Sequence, residues 1–226
     1  MREDVVAIVS HDLRNPLNAI SLSATLLERE AVNERTTKTA HRIASAADRA
    51  SGMIRDLLDF TQARVGGGIP IHPQPLDFHE HVRRVVEEVR LAWPGRRIGF
   101  QASGEGRGEA DEGRLAQVVT NLVGNALQHS PPGTAVRVST RGVDSSLVLE
   151  VHNEGPAIPA ELLPTLFEPY RRGAEAGAGR GSLGLGLYIT REIVLGHGGT
   201  LDARSTPEDG TTFTVRLPRH PPAKGG

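Results

Sequence analysis

No cysteine occurs in the chain, which removes disulfides, thiolate metal sites and cysteine nucleophiles and fits a reducing compartment. Net charge is nearly absent too. The 26 basic and 27 acidic side chains leave a formal charge of −1, too little field to gather nucleic acid or an anionic membrane. Any anionic ligand must be held by local chemistry. Long apolar runs are also missing, and the longest falls far short of the roughly 18 to 20 residues a membrane span needs. The opening "MREDVVAIVSHD" has neither the apolar core nor the small-residue cleavage site of an export signal, so the expected setting is cytoplasmic. What is present is a globular composition, 38% hydrophobic and 23% charged, over 226 residues: room for one ordinary domain and a smaller unit.

Apolar residues at Val5, Val9, Leu13, Leu17, Ile20, Ala24 and Leu27 keep the three-to-four spacing of one helical stripe. After the polar break "REAVNERTT" a second stripe runs through Ile43, Ala47, Ala50, Ile54, Leu57 and Thr61. Two such helices predict an antiparallel hairpin, and one of about sixty residues with wide apolar sides is expected to dimerise into a four-helix bundle. The run "RVGGGIPIHPQP" is dense in glycine and proline and marks a linker. Beyond it the pattern predicts helices near 77–92, 111–129 (with Asp111 as N-cap) and 187–195. Strands are expected near 98–102, 135–140, 146–153, 200–205 and 211–218. The expected fold class is α+β: a helical hairpin, then an α/β sandwich with helices on one face of a mixed sheet. The expected boundaries are 1–63 for the hairpin, 64–76 for the linker, 77–219 for the sandwich and 220–226 for a tail.

Five segments carry chemistry: "SHDLRNPL" (10–17), "NLVGNALQHS" (121–130), "VHNEGPAIP" (151–159), "LFEPYRR" (166–172) and "GSLGLGLYI" (181–189). In order and separation they resemble the H, N, G1, F and G2 boxes of the sensor histidine kinases of two-component systems. The likeness covers nearly the whole chain, and the wording of the third segment is similar to the phytochrome-like kinases in particular. The resemblance implies a dimerisation and phosphoacceptor hairpin followed by a GHKL (Bergerat-type) ATP-binding domain. The implied activity is protein-histidine kinase, with ATP and Mg2+ as cofactors and the receiver domain of a response regulator as partner.

On a helix Asn121, Asn125 and Gln128 or His129 lie three or four apart and project from one face. An amide oxygen suits magnesium, which keeps waters and phosphates as its other ligands. The resemblance assigns the metal to Asn125 and the adjoining phosphate and water network to Asn121, and it places Gln128 and His129 where the family usually has a lysine and an aromatic residue. Asn153 stands in the place of the aspartate that accepts from the adenine amino group. An asparagine oxygen can accept the same bond without a formal charge. Gly155 lets the backbone approach the base, and Ala157 replaces the next expected glycine. The glycine- and alanine-rich stretch 171–186 reads as a mobile cover over a ligand. Gly184, Leu185 and Gly186 lead into a helix whose start can receive phosphate oxygens, and Arg171, Arg172 and Arg180 are candidate clamps on the terminal phosphates.

A neutral imidazole at His11 can attack phosphorus through one nitrogen while Asp12 takes or orients the proton on the other. Pro16 cannot donate a backbone hydrogen bond and is expected to kink the helix beyond His11. The resemblance gives Asn15, four residues on, a part in orienting the water that dephosphorylates the receiver. The remaining histidines form no evident metal set. No sensor unit precedes His11, so a longer protein is expected, with any membrane anchor upstream. The alternative reading is a degenerate, weak ATPase serving as a dimeric receiver-binding scaffold. Chaperone, topoisomerase or mismatch-repair ATPases of the same superfamily are a third, against which "SHDLRNPL" argues.

Overall fold

The computed structural model describes residues 2–30, 33–65, 67–170 and 183–221, with side chains of the first helix from Pro16 onward. The chain separates into two compact units at Gly67 and Gly68, both in left-handed backbone conformation.

The first unit is a helical hairpin, α1 (Arg2–Arg29) and α2 (Glu34–Val65). Asn33 starts α2, its side-chain oxygen accepting from the Thr36 N–H at 2.9 Å as an N-cap does. The helices run antiparallel: Ser21 donates to Asp48 at 2.9 Å, and His41 lies 3.5 Å from Glu28. Small residues line the seam, with Ala24, Ala40 and Ala47 buried. The expected stripe on α1 is only partly covered, since Ile20 and Leu27 are exposed alongside Leu22 and Leu26. The helix continues through Pro16, where no N–H is available to the carbonyl one turn back.

Residues 64–76, expected as a linker, are more structured than their composition suggests. The helix α2 claims the first two, Ile69 and Ile71 are buried, and strand β1 (Gln74–Asp77) closes the stretch. Ile71 reaches Gly196 so closely that a Cβ there would lie 2.7 Å from its Cγ1.

The second unit follows as α3 (Phe78–Ala92), β2 (Arg97–Ser103), β3 (Arg107–Ala110), α4 (Glu112–His129), β4 (Ala135–Val143) and β5 (Ser146–Asn153). A short turn (Leu163–Thr165), α5 (Gly186–Gly196), β6 (Thr200–Thr206) and β7 (Gly210–Pro218) complete it. The five-stranded sheet has the order β2-β4-β5-β7-β6, with β2 parallel to β4 and the other pairs antiparallel. Alternation decides its faces. On β4, Val136, Val138 and Thr140 point inward while Arg137 and Arg141 are exposed. The inner face packs with α3 (Val82, Val86) and α4 (Leu122, Val123, Ala126), where a fully buried Leu or Val contributes roughly 1.5–3 kcal/mol, and Ile189 and Ile193 of α5 are buried as well. The outer face is polar, as in the Arg141 to Glu150 pair at 2.7 Å. The mixed sheet with helices on one face agrees with the expected sandwich.

Two strands absent from the sequence expectation, β1 and β3, form a separate antiparallel ribbon. Asp111 caps α4 as expected, its Oδ1 accepting from the Arg114 N–H at 3.0 Å. Its Oδ2 also accepts from the His72 N–H at 2.9 Å, and its own N–H donates to His197 Nε2 at 3.0 Å. The other ring nitrogen of His197 lies 2.8 Å from the Ile193 carbonyl, so the proton sits on Nδ1 and the ring is neutral. Burial holds the His197 pKa below the ordinary imidazole value. One buried histidine thus ties the start of α4 to the end of α5, the two helices that carry the site.

Candidate active site

The helix α4 presents Asn121 and Asn125 half-buried and Gln128 and His129 exposed near its end. Asn121 reaches α5, its Nδ2 donating to Thr190 Oγ1 at 3.4 Å. The carbonyl of His129 meets the turn that leaves β5: a Cβ on Gly155 would lie 2.5 Å from that oxygen, so only glycine lets this turn close on the helix. Asn153 precedes the turn and is 3% exposed. Its Nδ2 donates to the Glu154 carbonyl at 3.2 Å, and its own carbonyl is crowded by Gly210, whose Cβ would lie 2.3 Å away. Gly210 also has a left-handed φ of 73°, a second reason for glycine there.

Across the sheet Asn153 pairs in register with the buried Thr211. The Thr211 hydroxyl shares a hydrogen bond with Ser205 Oγ at 2.7 Å, and Ser205 accepts from the Ile158 N–H at 2.9 Å. The turn 153–159, with half-buried Ala157 inside it, is therefore clamped between the end of α4 and strands β6 and β7. Phe167, in the fourth motif, stands edge-on to buried Phe213 with ring centroids 6.4 Å apart. Gly184 has a φ of 68°, Leu185 is fully buried, and α5 begins at Gly186, the positive end of its dipole.

The structure thus brings the His129 carbonyl against Gly155, in the turn that also holds Ala157 and follows Asn153, while Asn121, Asn125 and Gln128 lie along the same helix α4 and Asn121 is bonded to α5. Arg171, Arg172, Arg180 and the side chains of His11, Asp12 and Asn15 lie outside the described residues. Two broad surface depressions lie elsewhere, around Gly198, Arg216 and His220 and around Gln101, Ser139 and Glu150, and hold none of these residues. Sequence reasoning passed over Thr190, Ser205 and Thr211. The signal for the last was available in "DGTTF", where a left-handed glycine fixes the hydroxyl that follows it opposite Asn153.

Two family models match this chain. Residues 1–66 match the His Kinase A (phospho-acceptor) domain, and residues 110–221 match the histidine kinase-, DNA gyrase B- and HSP90-like ATPase. The chain belongs to the two-component sensor histidine kinases. It is 35% identical over 219 residues to a bacteriophytochrome of Pseudomonas aeruginosa, covering 96% of this chain and 30% of that protein. It is 36% identical over 218 residues to the probable sensor histidine kinase TcrY of Mycobacterium tuberculosis, covering 94% and 45%. The chain therefore spans less than half the length of these relatives. TcrY is as similar as the bacteriophytochrome, so the likeness extends to sensor kinases at large and not to the phytochrome-like branch in particular.

Among solved structures, full-length ShkA in complex with AMPPNP superposes with a TM-score of 0.75 at 25% identity, covering 97% of this chain and 46% of that one. The nucleotide-free catalytic domain of ThkA gives 0.57 at 28% identity, covering 66% and 97%. The second unit is accordingly an ATP-binding domain, and the two units make up a histidine kinase catalytic core. No helix among the described residues is long and apolar enough to cross a membrane.

Proposed function

We propose that this chain transfers the γ-phosphoryl group of ATP to His11 and then to an aspartate of a separate receiver domain. The observation that carries the reading is the clamped turn at Asn153, Gly155 and Ala157, placed beside the amide-bearing face of α4. Asn153 takes the base and Gly155 gives its ring room. Asn121 and Asn125 serve the phosphate end, and the start of α5 with Gly184, Leu185 and Gly186 offers backbone N–H groups to anionic oxygens. Asn125 fits magnesium by donor chemistry, as one half-buried amide oxygen suits an ion that takes its other ligands from water and phosphates. A magnesium ion held by Asn125 would supply positive charge against the phosphate oxygens.

The remaining steps belong to the chain's own residues. A neutral His11 nitrogen attacks the γ-phosphorus, a P–N bond forms, the bond to the β-phosphate oxygen breaks, and ADP leaves. Asp12 holds the proton on the other ring nitrogen. Arg171 and Arg172 balance charge on the terminal phosphates, in place of the lysine that Gln128 does not supply. The receiver aspartate then takes the phosphoryl group, and Asn15 orients the water that removes it again. We assign these roles to a phosphoacceptor unit at 1–63, a connecting stretch at 64–76 and a catalytic unit at 77–219. The hairpin acts as a homodimer, which the exposed Ile20, Leu22, Leu26 and Leu57 support.

The neutral side chains Gln128 and Asn153 favour a second reading, a weak ATPase that serves as a dimeric receiver scaffold. Incubating the full chain and a receiver protein with γ-labelled ATP separates the two. The kinase reading predicts label on this chain and then on the receiver; binding of the receiver with no label on either supports the scaffold.

A further inference from the structure

The base preference of the site follows from one substitution, and the inference rests on the nucleotide reading above. A carboxylate at the end of β5 would only accept hydrogen bonds. It would suit the 6-amino group of adenine and repel the 6-oxo oxygen of hypoxanthine or guanine. The carboxamide of Asn153 is different, because half a turn about its last side-chain bond exchanges a carbonyl acceptor for an amino donor. The surroundings hold the first state by one contact. Its Nδ2 is held by one neutral bond to the Glu154 carbonyl at 3.2 Å. Opposite it in register stands Thr211, whose hydroxyl shares a 2.7 Å bond with Ser205 in which either oxygen can be the donor.

We propose that Asn153 is a specificity-determining residue that admits 6-oxopurine nucleoside triphosphates beside ATP. In one orientation its oxygen accepts from a 6-amino group. In the other its amino group donates to a 6-oxo oxygen, at the loss of the bond to Glu154 and with the amide oxygen turned toward that carbonyl. One neutral hydrogen bond has a net worth of about a tenfold ratio at most, so the preference for ATP stays within that. A site whose buried polar groups match one partner and oppose the other discriminates far more strongly.

The test is displacement of a fluorescent ATP analogue from the full chain by ATP and by inosine triphosphate, in which a 6-oxo oxygen replaces the 6-amino group and N1 carries a proton. It is run on the wild type and on Asn153→Asp. The expected result is a wild-type inosine-to-adenosine Kd ratio below about tenfold, widening at least another tenfold in the variant. A wild-type ratio beyond tenfold, or one that does not widen, overturns the proposal. If the variant does not fold, purine riboside triphosphate, which has no 6-substituent, replaces it as the probe on the wild type. It must bind more weakly than both other nucleotides, and equal binding overturns the proposal. A wild type from which ATP displaces nothing refutes the nucleotide reading itself and takes this inference down with it, a result distinct from ATP binding with strict selectivity.

Discussion

Gly155 stands where a methyl group would lie 2.5 Å from the His129 carbonyl, a backbone atom that has no soft way to yield. Gly155→Ala therefore has to push the turn 153–159 off the end of α4. ATP affinity, measured by calorimetric titration, is expected to fall at least tenfold; unchanged affinity would remove that turn from the site. Titration gives a second test at this scale. In His81, His152 and His197 burial is the leading cause holding the pKa below the ordinary imidazole value. A histidine depressed on folding stabilises the fold fully above its unfolded value near 6.5 and loses that contribution as pH falls through the folded value. Asp56 in the hairpin has the opposite sign. Burial first, then Asp59, raises it from 3.8 to about 6, so its protonated form favours the folded state and stability declines as pH rises across that window. Trp93, the one tryptophan in the sequence, reports on the second unit. The urea midpoint read by its fluorescence is expected to drop between pH 7 and pH 5, with a shallower slope in His197→Ala. The chemistry of the site was legible as residue types in motifs. The contacts that make Thr211 and His197 matter were not, because each depends on a partner tens of residues away in sequence.

At the scale of elements, the N-cap of α4 is where local sequence and tertiary structure meet. Asp111 accepts from Arg114 and from His72 with its two oxygens. Its replacement by alanine removes the cap, worth about 1 kcal/mol, and leaves a second donor without its acceptor. Asp111→Ala is expected to cost roughly 1–3 kcal/mol in urea unfolding, and Asp111→Asn less, since it keeps the cap but loses the acceptor for the His72 N–H. A cost near zero would mean that the cap does not hold α4 in place. The five helices and the five strands of the main sheet could be read from periodicity because their apolar residues recur at a regular spacing. The ribbon of β1 and β3 could not. "QPLD" and "RGEA" are four residues long, contain proline or glycine, and show no alternation of branched residues. Their strand state comes from pairing with each other and from the Arg219 carbonyl, which accepts from the Glu109 N–H at 2.8 Å. Composition likewise misjudged the stretch around Ile69 and Ile71, because its glycines and prolines conceal two isoleucines that pack into the core.

At the scale of the whole molecule, the hairpin leaves too much apolar surface uncovered to stand alone in water. Leu22 and Leu26 are 63% and 50% exposed. Sedimentation equilibrium is expected to give twice the chain mass for the wild type and the single mass for a Leu22→Glu, Leu26→Glu double variant; a wild-type monomer would contradict the bundle. The central claim is narrower: a nucleotide held by the second unit gives its terminal phosphoryl group to one imidazole of the first. The most direct measurement is incubation of the chain with γ-labelled ATP, followed by peptide mapping of the modified side chain in the wild type and in His11→Gln. The account predicts acid-labile label on His11, and none on the variant although it still binds ATP. Label that persists in His11→Gln, or that maps to any other side chain, would contradict it.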